Sequence, residues 1–473
     1  MIPRIVATPI GPVSRIRAGA PRRLPDALVA ATVPGPARDR LAREAVLVVT
    51  TGQQPGLFTG PLYTVYKALS AIAWARRLER ERGVPVVPVF WVAGDDHDFQ
   101  EANHATYLNG AGEAVRIVLR ERPPDAPSWP SAREPCGPEI AAALAALRDG
   151  TPDSEFKAAV LGWLEASYRP EATLADAFAD ALHALLGDRG LAVIRPYTAG
   201  VKREMAPWLL RGLDLTLPDG LSPVLLEATL GRDRLRPEGA GFVTRRSGER
   251  FTRAELERIA HESPERLSPN VLLRPVVEAA LWPTVAYFGG PGELKYLPDA
   301  APLYRALDVA AQTAMPRWSA VLVESRVERV LDRHGLTLEE LASPPGEVEA
   351  RLVREQLPPE VAQALDALRS GLSSAYGRVS GGVTRIDSTL ERTVESARNA
   401  ALGATNDIEK KVVAALKRAN ETLVSQLARV RAAVYPDGAP QERVLTYASM
   451  AIRYGAPLLD ALEDEVAQWA AGS

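Results

Sequence analysis

Two apolar runs near the start of the chain each stop at a cluster of polar residues, and a helical pattern joins them. The first, residues 46–50, ends in Thr51-Gly52-Gln53-Gln54-Pro55-Gly56-Leu57-Phe58-Thr59-Gly60-Pro61. The second, residues 84–92, ends in Gly94-Asp95-Asp96-His97-Asp98-Phe99, with Glu101, Asn103 and His104 close behind. Between the runs, Leu62, Val65, Tyr66, Leu69, Ile72 and Ala73 recur at helical spacing. Thr59 would cap that helix, and Pro61 stands near its first position, where a missing N–H costs nothing. Strand, helix and strand in this order predict a βαβ unit, whose ligands sit outside the carboxyl ends of its strands.

Further along, six prolines between Arg122 and Pro138 forbid regular structure and mark a loop out of the sheet. Residues 139–187 read as helices, with Ile140, Leu144, Leu147, Val160, Leu161, Leu164, Phe178, Leu182 and Leu186 as core. Residues 190–196 return to a strand and 202–213 to a helix. A hairpin is expected to turn at Ser247-Gly248, and Thr252 with Glu255 forms a capping box for the next helix. Residues 283–288 form another apolar run, which breaks into Gly289-Gly290-Pro291-Gly292-Glu293. From about residue 366 the pattern changes to apolar positions three and four apart: Val383, Ile386, Leu390, Val394, Ala397, Ala401, Ile408, Val412, Ala415, Ala419, Leu423, Leu427 and Val430. That is the seam of a coiled coil or of a long helical hairpin. Residues 435–438 end it, and 441–469 supply a returning helix.

A chain of 473 residues exceeds what one core normally serves. The expected division is an α/β parallel-sheet core over 1–365, interrupted by insertions at about 120–187 and 214–268, followed by a helical domain over 366–473. A formal charge of −3 gives no general attraction for nucleic acid or an anionic membrane. Cys136 is the only cysteine, which excludes an intrachain disulfide and a cysteine-based zinc cage and fits a reducing cytosol. The first nine residues lack the apolar stretch of a signal peptide, and no later run is long enough to span a bilayer. A cytoplasmic protein is expected.

Three groups of residues carry candidate chemistry. Gly52, Gly56 and Gly60 permit close backbone approach, Gln53 and Gln54 offer donors, and the helix beginning near Thr59 would present its N-terminus to an anion. The same glycines would also serve a tight strand-to-helix connection. Asp95, Asp96 and Asp98 surround His97; carboxylates this close would raise the imidazole pKa and suit acid–base work, with His97, Asp96 and Asp98 as catalytic candidates. Some of these acids would instead cap the next helix or orient the imidazole. No metal site is expected from His97 and His104, whose separation suits one only on a continuous helix. The third group is Asn270, Arg274, Tyr287, Gly289, Gly290, Gly292, Glu293 and Tyr296, where Arg274 suits a carboxylate or phosphate and Glu293 an amine. A well-formed turn with a solvated acid would account for these as well.

Residues 51–64, 90–99, 268–271 (Ser-Pro-Asn-Val) and 289–293, with Pro436-Asp437-Gly438 and Gln441-Glu442-Arg443-Val444, together resemble the cysteine-adding enzymes, or cysteine ligases, of bacillithiol synthesis. The blocks follow that family's order and extend over most of the chain. The resemblance implies a Rossmann-like core with helical connecting insertions, loosely similar to class I aminoacyl-tRNA ligases and nucleotidylyltransferases, and a C-terminal coiled coil that makes a homodimer. It further implies a ligase joining L-cysteine to the amine of glucosaminyl-malate, in the last step of bacillithiol synthesis. ATP with magnesium follows from the reaction class, through adenylation of cysteine, although the chain has neither a HIGH-type box nor a KMSKS-type loop. A nucleotidyltransferase acting on another small metabolite, and a coiled-coil scaffold with an inactive core, are the alternative readings.

Overall fold

Five parallel strands, Leu47–Gln53, Val86–Val92, Ala192–Ile194, Thr284–Gly289 and Thr313–Pro316, form the central sheet of the computed structural model, which describes residues 2–383, 385–387 and 389–473. Numbered in chain order, they stand 5-4-1-2-3 across the sheet. This is the Rossmann arrangement, and the order reverses between the first strand and the fourth. Both flanking strands of that junction, and the second strand beside them, are buried along nearly their whole length. Their continuous apolar runs are what a sheet covered on both faces requires.

The helix Tyr63–Arg82 connects the first two strands and is buried on almost every side of its first three turns. A helix enclosed in this way needs a second cover, and Tyr447–Gly472 supplies it. Trp469 reaches Trp74 and Phe288 at ring separations of 6.0 and 6.5 Å. Helices Ile140–Gly150, Lys157–Ser167 and Leu174–Leu186 fill the connection between the second and third strands, as the 139–187 periodicity predicts.

The connection between the third and fourth strands holds more than the hairpin and helices expected there. Besides Ala199–Gly212 and Arg253–Glu262, it holds an antiparallel sheet in the order Arg250–Thr252, Gly241–Thr244, Gly231–Glu238, Val224–Ala228, Leu267–Pro269. The hairpin and the capping box are present, with Gly248 at φ +70°. The strand Gly231–Glu238 is hard to recognise because its inward positions include Asp233, which the backbone N–H groups of Arg246 and Ser247 satisfy at 2.9 and 3.1 Å. Near the N-terminus, Arg4–Ala7 pairs antiparallel with Ala320–Val323.

Two compact units result. One runs to Val323 and resumes at Pro440; the other is Glu324–Ala439. This division differs from the 365/366 boundary expected from the change in pattern: Ser325–His334 and Glu347–Arg354 pack on the helices of the second unit, and the apolar face of Tyr447–Gly472 is buried in the first. In the second unit, Pro359–Val383 folds back on Leu390–Ala419 as a hairpin within one chain, joined by Arg369 to Asn406 and Glu409. The proposed seam is interrupted twice. Ile386 lies in the connection and is 81% exposed, and Asn420 breaks the helix before Glu421–Val434. Leu423, Leu427 and Val430 are buried as expected, whereas Leu390 and Ile408 are exposed and Val413 is buried in place of Val412. Among the described residues, no helix is long and apolar enough to cross a membrane.

Candidate active site

A cavity of about 450 Å³ opens at the carboxyl ends of the parallel strands, where the strand order reverses. All three groups singled out in the sequence reach it. Gly52, Gln53 and Gln54 come from the end of the first strand, Asp95 and Asp96 from the end of the second, and Asn270, Arg274, Tyr287, Gly290, Gly292 and Glu293 from the segment around the fourth. Gly52 is required by packing: a Cβ there would stand 2.7 Å from the carbonyl oxygen of Trp91 on the paired strand.

Along one wall the polar groups form a single chain of contacts. The Lys67 ammonium, 2% exposed, donates to the Gly52 carbonyl at 2.8 Å and to Gln53 Oε1 at 3.0 Å, and it pairs with Glu293. Glu293 also accepts from the Gly290 N–H at 2.8 Å and from the Tyr287 hydroxyl. Arg274 then donates to Tyr287 Oη at 3.1 Å and pairs with the fully buried Glu278 at 2.9 Å, while Thr50 donates to the other Glu278 oxygen at 2.5 Å. Burial pulls the Glu293 carboxyl upward, but Lys67 and the Gly290 N–H outweigh it and hold the group below the usual carboxylate range.

The acidic cluster divides its labour. Asp95 pairs at 2.7 Å with Lys202, a fully buried lysine that also donates to the Leu267 carbonyl. Asp98 accepts from the Glu101 N–H at 3.2 Å and so caps the helix Phe99–Ala102, while its own N–H donates to Asp96 at 3.1 Å. Asp96 lines the cavity; His97 and Asp98 do not. The expectation that the three acids raise the His97 pKa is incorrect. Burial and the facing Arg232, whose Nη1 lies 3.5 Å from His97 Nδ1, lower it below its ordinary value of 6.5, and Asp96 opposes this less strongly.

A base whose folded pKa is depressed stabilises the fold above its unfolded pKa, and that contribution is lost as pH falls through the folded value. The imidazole proton shifts of His97, assigned with His97→Gln, are therefore expected to titrate with a midpoint below 6.5. A midpoint above it would return the acids to control.

Thr59 and Gly60 take no part in the cavity wall, and Thr59 does not cap the following helix. Phe58, Thr59 and Gly60 are all left-handed, at φ +53°, +69° and +69°. The strained turn is pinned by Tyr168, whose hydroxyl accepts from the Thr59 N–H and donates to the Gly56 carbonyl. Gly289 ends its strand just outside the cavity and its carbonyl accepts from the Arg317 N–H. Asn270 reaches the wall but turns its side-chain oxygen to the N–H groups of Leu272 and Leu273, at 3.0 and 2.8 Å. Cys136 is buried in its proline loop, and burial pushes its thiol up to about 12.

Tyr63, Lys67, Glu101, Arg232, Tyr296, Arg317 and Arg443 supply the other polar side chains of the lining, beside Trp91, Ala93, Pro269 and Val271. Of these, Lys67, Arg232, Arg317 and Arg443 were not among the residues singled out for chemistry in the sequence. Lys67 had one signal: it is one of seven lysines among 56 basic residues, in the helix that directly follows Gln53 and Gln54. Arg443 stands in the Gln441-Glu442-Arg443-Val444 block of the resemblance, whereas Arg232 and Arg317, from distant segments, had no signal.

The family model described as "Bacillithiol biosynthesis BshC, N-terminal Rossmann-like domain" matches residues 36–216 and 225–318, and "Bacillithiol biosynthesis BshC, C-terminal coiled-coil domain" matches 320–470. A protein of Heliobacterium modesticaldum named "Putative cysteine ligase BshC" is 31% identical over 91% of this chain and 83% of its own. One of the same name from Salinibacter ruber is 32% identical over 88% and 80%. A solved structure of Mycobacterium tuberculosis methionyl-tRNA synthetase in complex with methionyl-adenylate aligns over 90% of this chain and 93% of that one, at 13% identity and a TM-score of 0.26, too loosely to bear on fold or activity. With two family models covering the parallel-sheet core and the helical region in turn, and relatives matched along nearly their full length, the chain belongs to the BshC family of bacillithiol biosynthesis.

Proposed function

We propose that this chain is a ligase that joins L-cysteine to the amine of glucosaminyl-malate through an amide bond, the last step of bacillithiol synthesis, in the cavity at the strand ends. The observation that carries this reading is a cavity of mixed sign in a chain of this family. Guanidinium groups and carboxylates line one space, as suits substrates that bring amines and carboxylates together.

A carboxylate and an amine do not condense unaided, so the cysteine carboxylate must be activated. One donor at the cavity is left for nucleotide phosphates: Arg317 Nε has no hydrogen-bond partner among the described residues and lies 3.6 Å from where a Cβ at Gly290 would stand. Gln53, Gln54 and Arg317 would hold the phosphates of ATP, which when bound supplies the activation. No group of three or more His, Cys, Asp or Glu among the described residues is placed to hold a metal ion, so magnesium is proposed to enter with the phosphates.

On the other side, Asp96 and Glu101 are the lining carboxylates with no cation paired to them among the described residues. The attacking ammonium must first lose a proton. Burial, then the charges of Asp96 and Asp98, raise the Glu101 carboxyl and make it the better acceptor of that proton. The amine nitrogen then forms the new bond to the acyl carbon as the activating group leaves. Lys67, Glu293, Tyr287 and Arg274 hold the wall in place, and neutral His97 positions Arg232. We assign the reaction to the cytoplasm and the pairing of two copies to the helical hairpin of the second unit.

Mass spectrometry of the purified protein with cysteine, glucosaminyl-malate and magnesium, with and without ATP, is expected to show bacillithiol only when ATP is present. Folded protein giving no product in either mixture would overturn the assignment.

A further inference from the structure

We propose that Arg443 is the group that captures a substrate carboxylate in this cavity, an inference that rests on the ligation reading above. Five cations line the space, and four are already engaged. Lys67 is held by Glu293, Arg274 by Glu278, and Arg317 by Glu442, with bonds of 2.7 and 2.5 Å. Arg232 spends Nε on Ser268 Oγ at 2.8 Å and Nη2 on the Pro269 carbonyl at 2.7 Å, and directs Nη1 at His97. Arg443 alone among the lining cations has no side-chain hydrogen bond or ion pair to a described residue. Its contact is the face of Tyr63, 5.8 Å from guanidinium carbon to ring centre.

The neighbours of Arg443 in the chain show why it is placed there. Gln441 exchanges hydrogen bonds with the backbone of Leu322 at 2.8 and 2.9 Å, and Glu442 pairs with Arg317 and accepts from Ser319 Oγ at 2.8 Å. These two buried side chains fasten the returning segment to the end of the sheet. The third, with its five N–H donors, is left exposed at the cavity on the opposite charge to Glu101, whose pKa it lowers. A rigidly anchored but unpaired guanidinium is the arrangement that takes a carboxylate in two parallel hydrogen bonds. Both substrates carry that group: the malyl tail of the sugar conjugate and the cysteine carboxylate.

The test is steady-state kinetics of the full chain with each substrate varied in turn, for the native protein, Arg443→Ala and Arg443→Lys. Arg443→Ala is expected to raise KM for one of the two substrates roughly 10- to 100-fold, the loss of a charge-assisted hydrogen bond, with kcat within about three-fold. Arg443→Lys should recover part of the loss, and the substrate affected identifies whose carboxylate is held. Unchanged KM for both, or a fall confined to kcat, overturns the proposal. Calorimetry with L-malate and with L-cysteine separates it from the ligation reading. Binding of either acid that weakens in Arg443→Ala, in a protein that makes no bacillithiol, would sink ligation and keep the anchor. Binding that is equal in both proteins, or absent from both, overturns the anchor.

Discussion

Lys67→Met is expected to abolish detectable ligation and to cost about 3–5 kcal/mol of stability, the effect of leaving a buried charge without its partner. Among the described residues the ammonium is the one cation paired with Glu293, and it joins that residue to the Gly52 carbonyl and to Gln53. Without it, the Glu293 carboxylate keeps only Tyr287 and the Gly290 N–H as donors among the described residues. Urea denaturation beside the product assay would measure both consequences. The double variant Lys67→Met with Glu293→Gln removes both charges and should regain much of the stability but none of the activity. Equal stability in the single variant and the native protein would show that the pair is solvated and that the wall does not depend on it.

The second large effect is expected at Glu442, far from the strand ends in sequence. Glu442→Ala leaves the Arg317 guanidinium, 1% exposed, without its bidentate partner and removes the acceptor of Ser319, again at about 3–5 kcal/mol. The same change loosens the segment that carries Arg443, so substrate affinity should fall together with stability. Glu442→Gln keeps one acceptor and is expected to fall between the two. A denaturation midpoint for Glu442→Ala within error of the native value would contradict the fastening role.

The parts of this molecule that could be read from sequence are those where local pattern and tertiary role coincide. An apolar run that stops at Gln53, another that stops at Asp95, and a third that breaks at Gly289 each mark the end of a buried parallel strand, and the fold brings those ends together. Three kinds of information were not local. The protonation of His97 depends on Arg232, 135 residues away, so counting the neighbouring carboxylates gave the wrong sign. Thr59 looked like a helix cap, but Tyr168 draws its backbone into a left-handed turn instead. The seam could be read as a coiled coil or a helical hairpin but not assigned to one of them, because periodicity carries no mark for the turn at Asp387, whose carboxylate accepts from the Thr389 N–H and hydroxyl, both at 2.8 Å. Arg232 and Arg317 became neighbours of the site only through the crossing of the chain, and nothing in their own surroundings announced it.

The most direct measurement is a crystal structure of the protein soaked with glucosaminyl-malate. Density for the conjugate is predicted in the strand-end cavity, with its amine at Glu101. Density confined to the apolar groove between Leu294 and Ala314, with the strand-end cavity empty, would contradict the placement of the reaction at the point where the sheet order reverses.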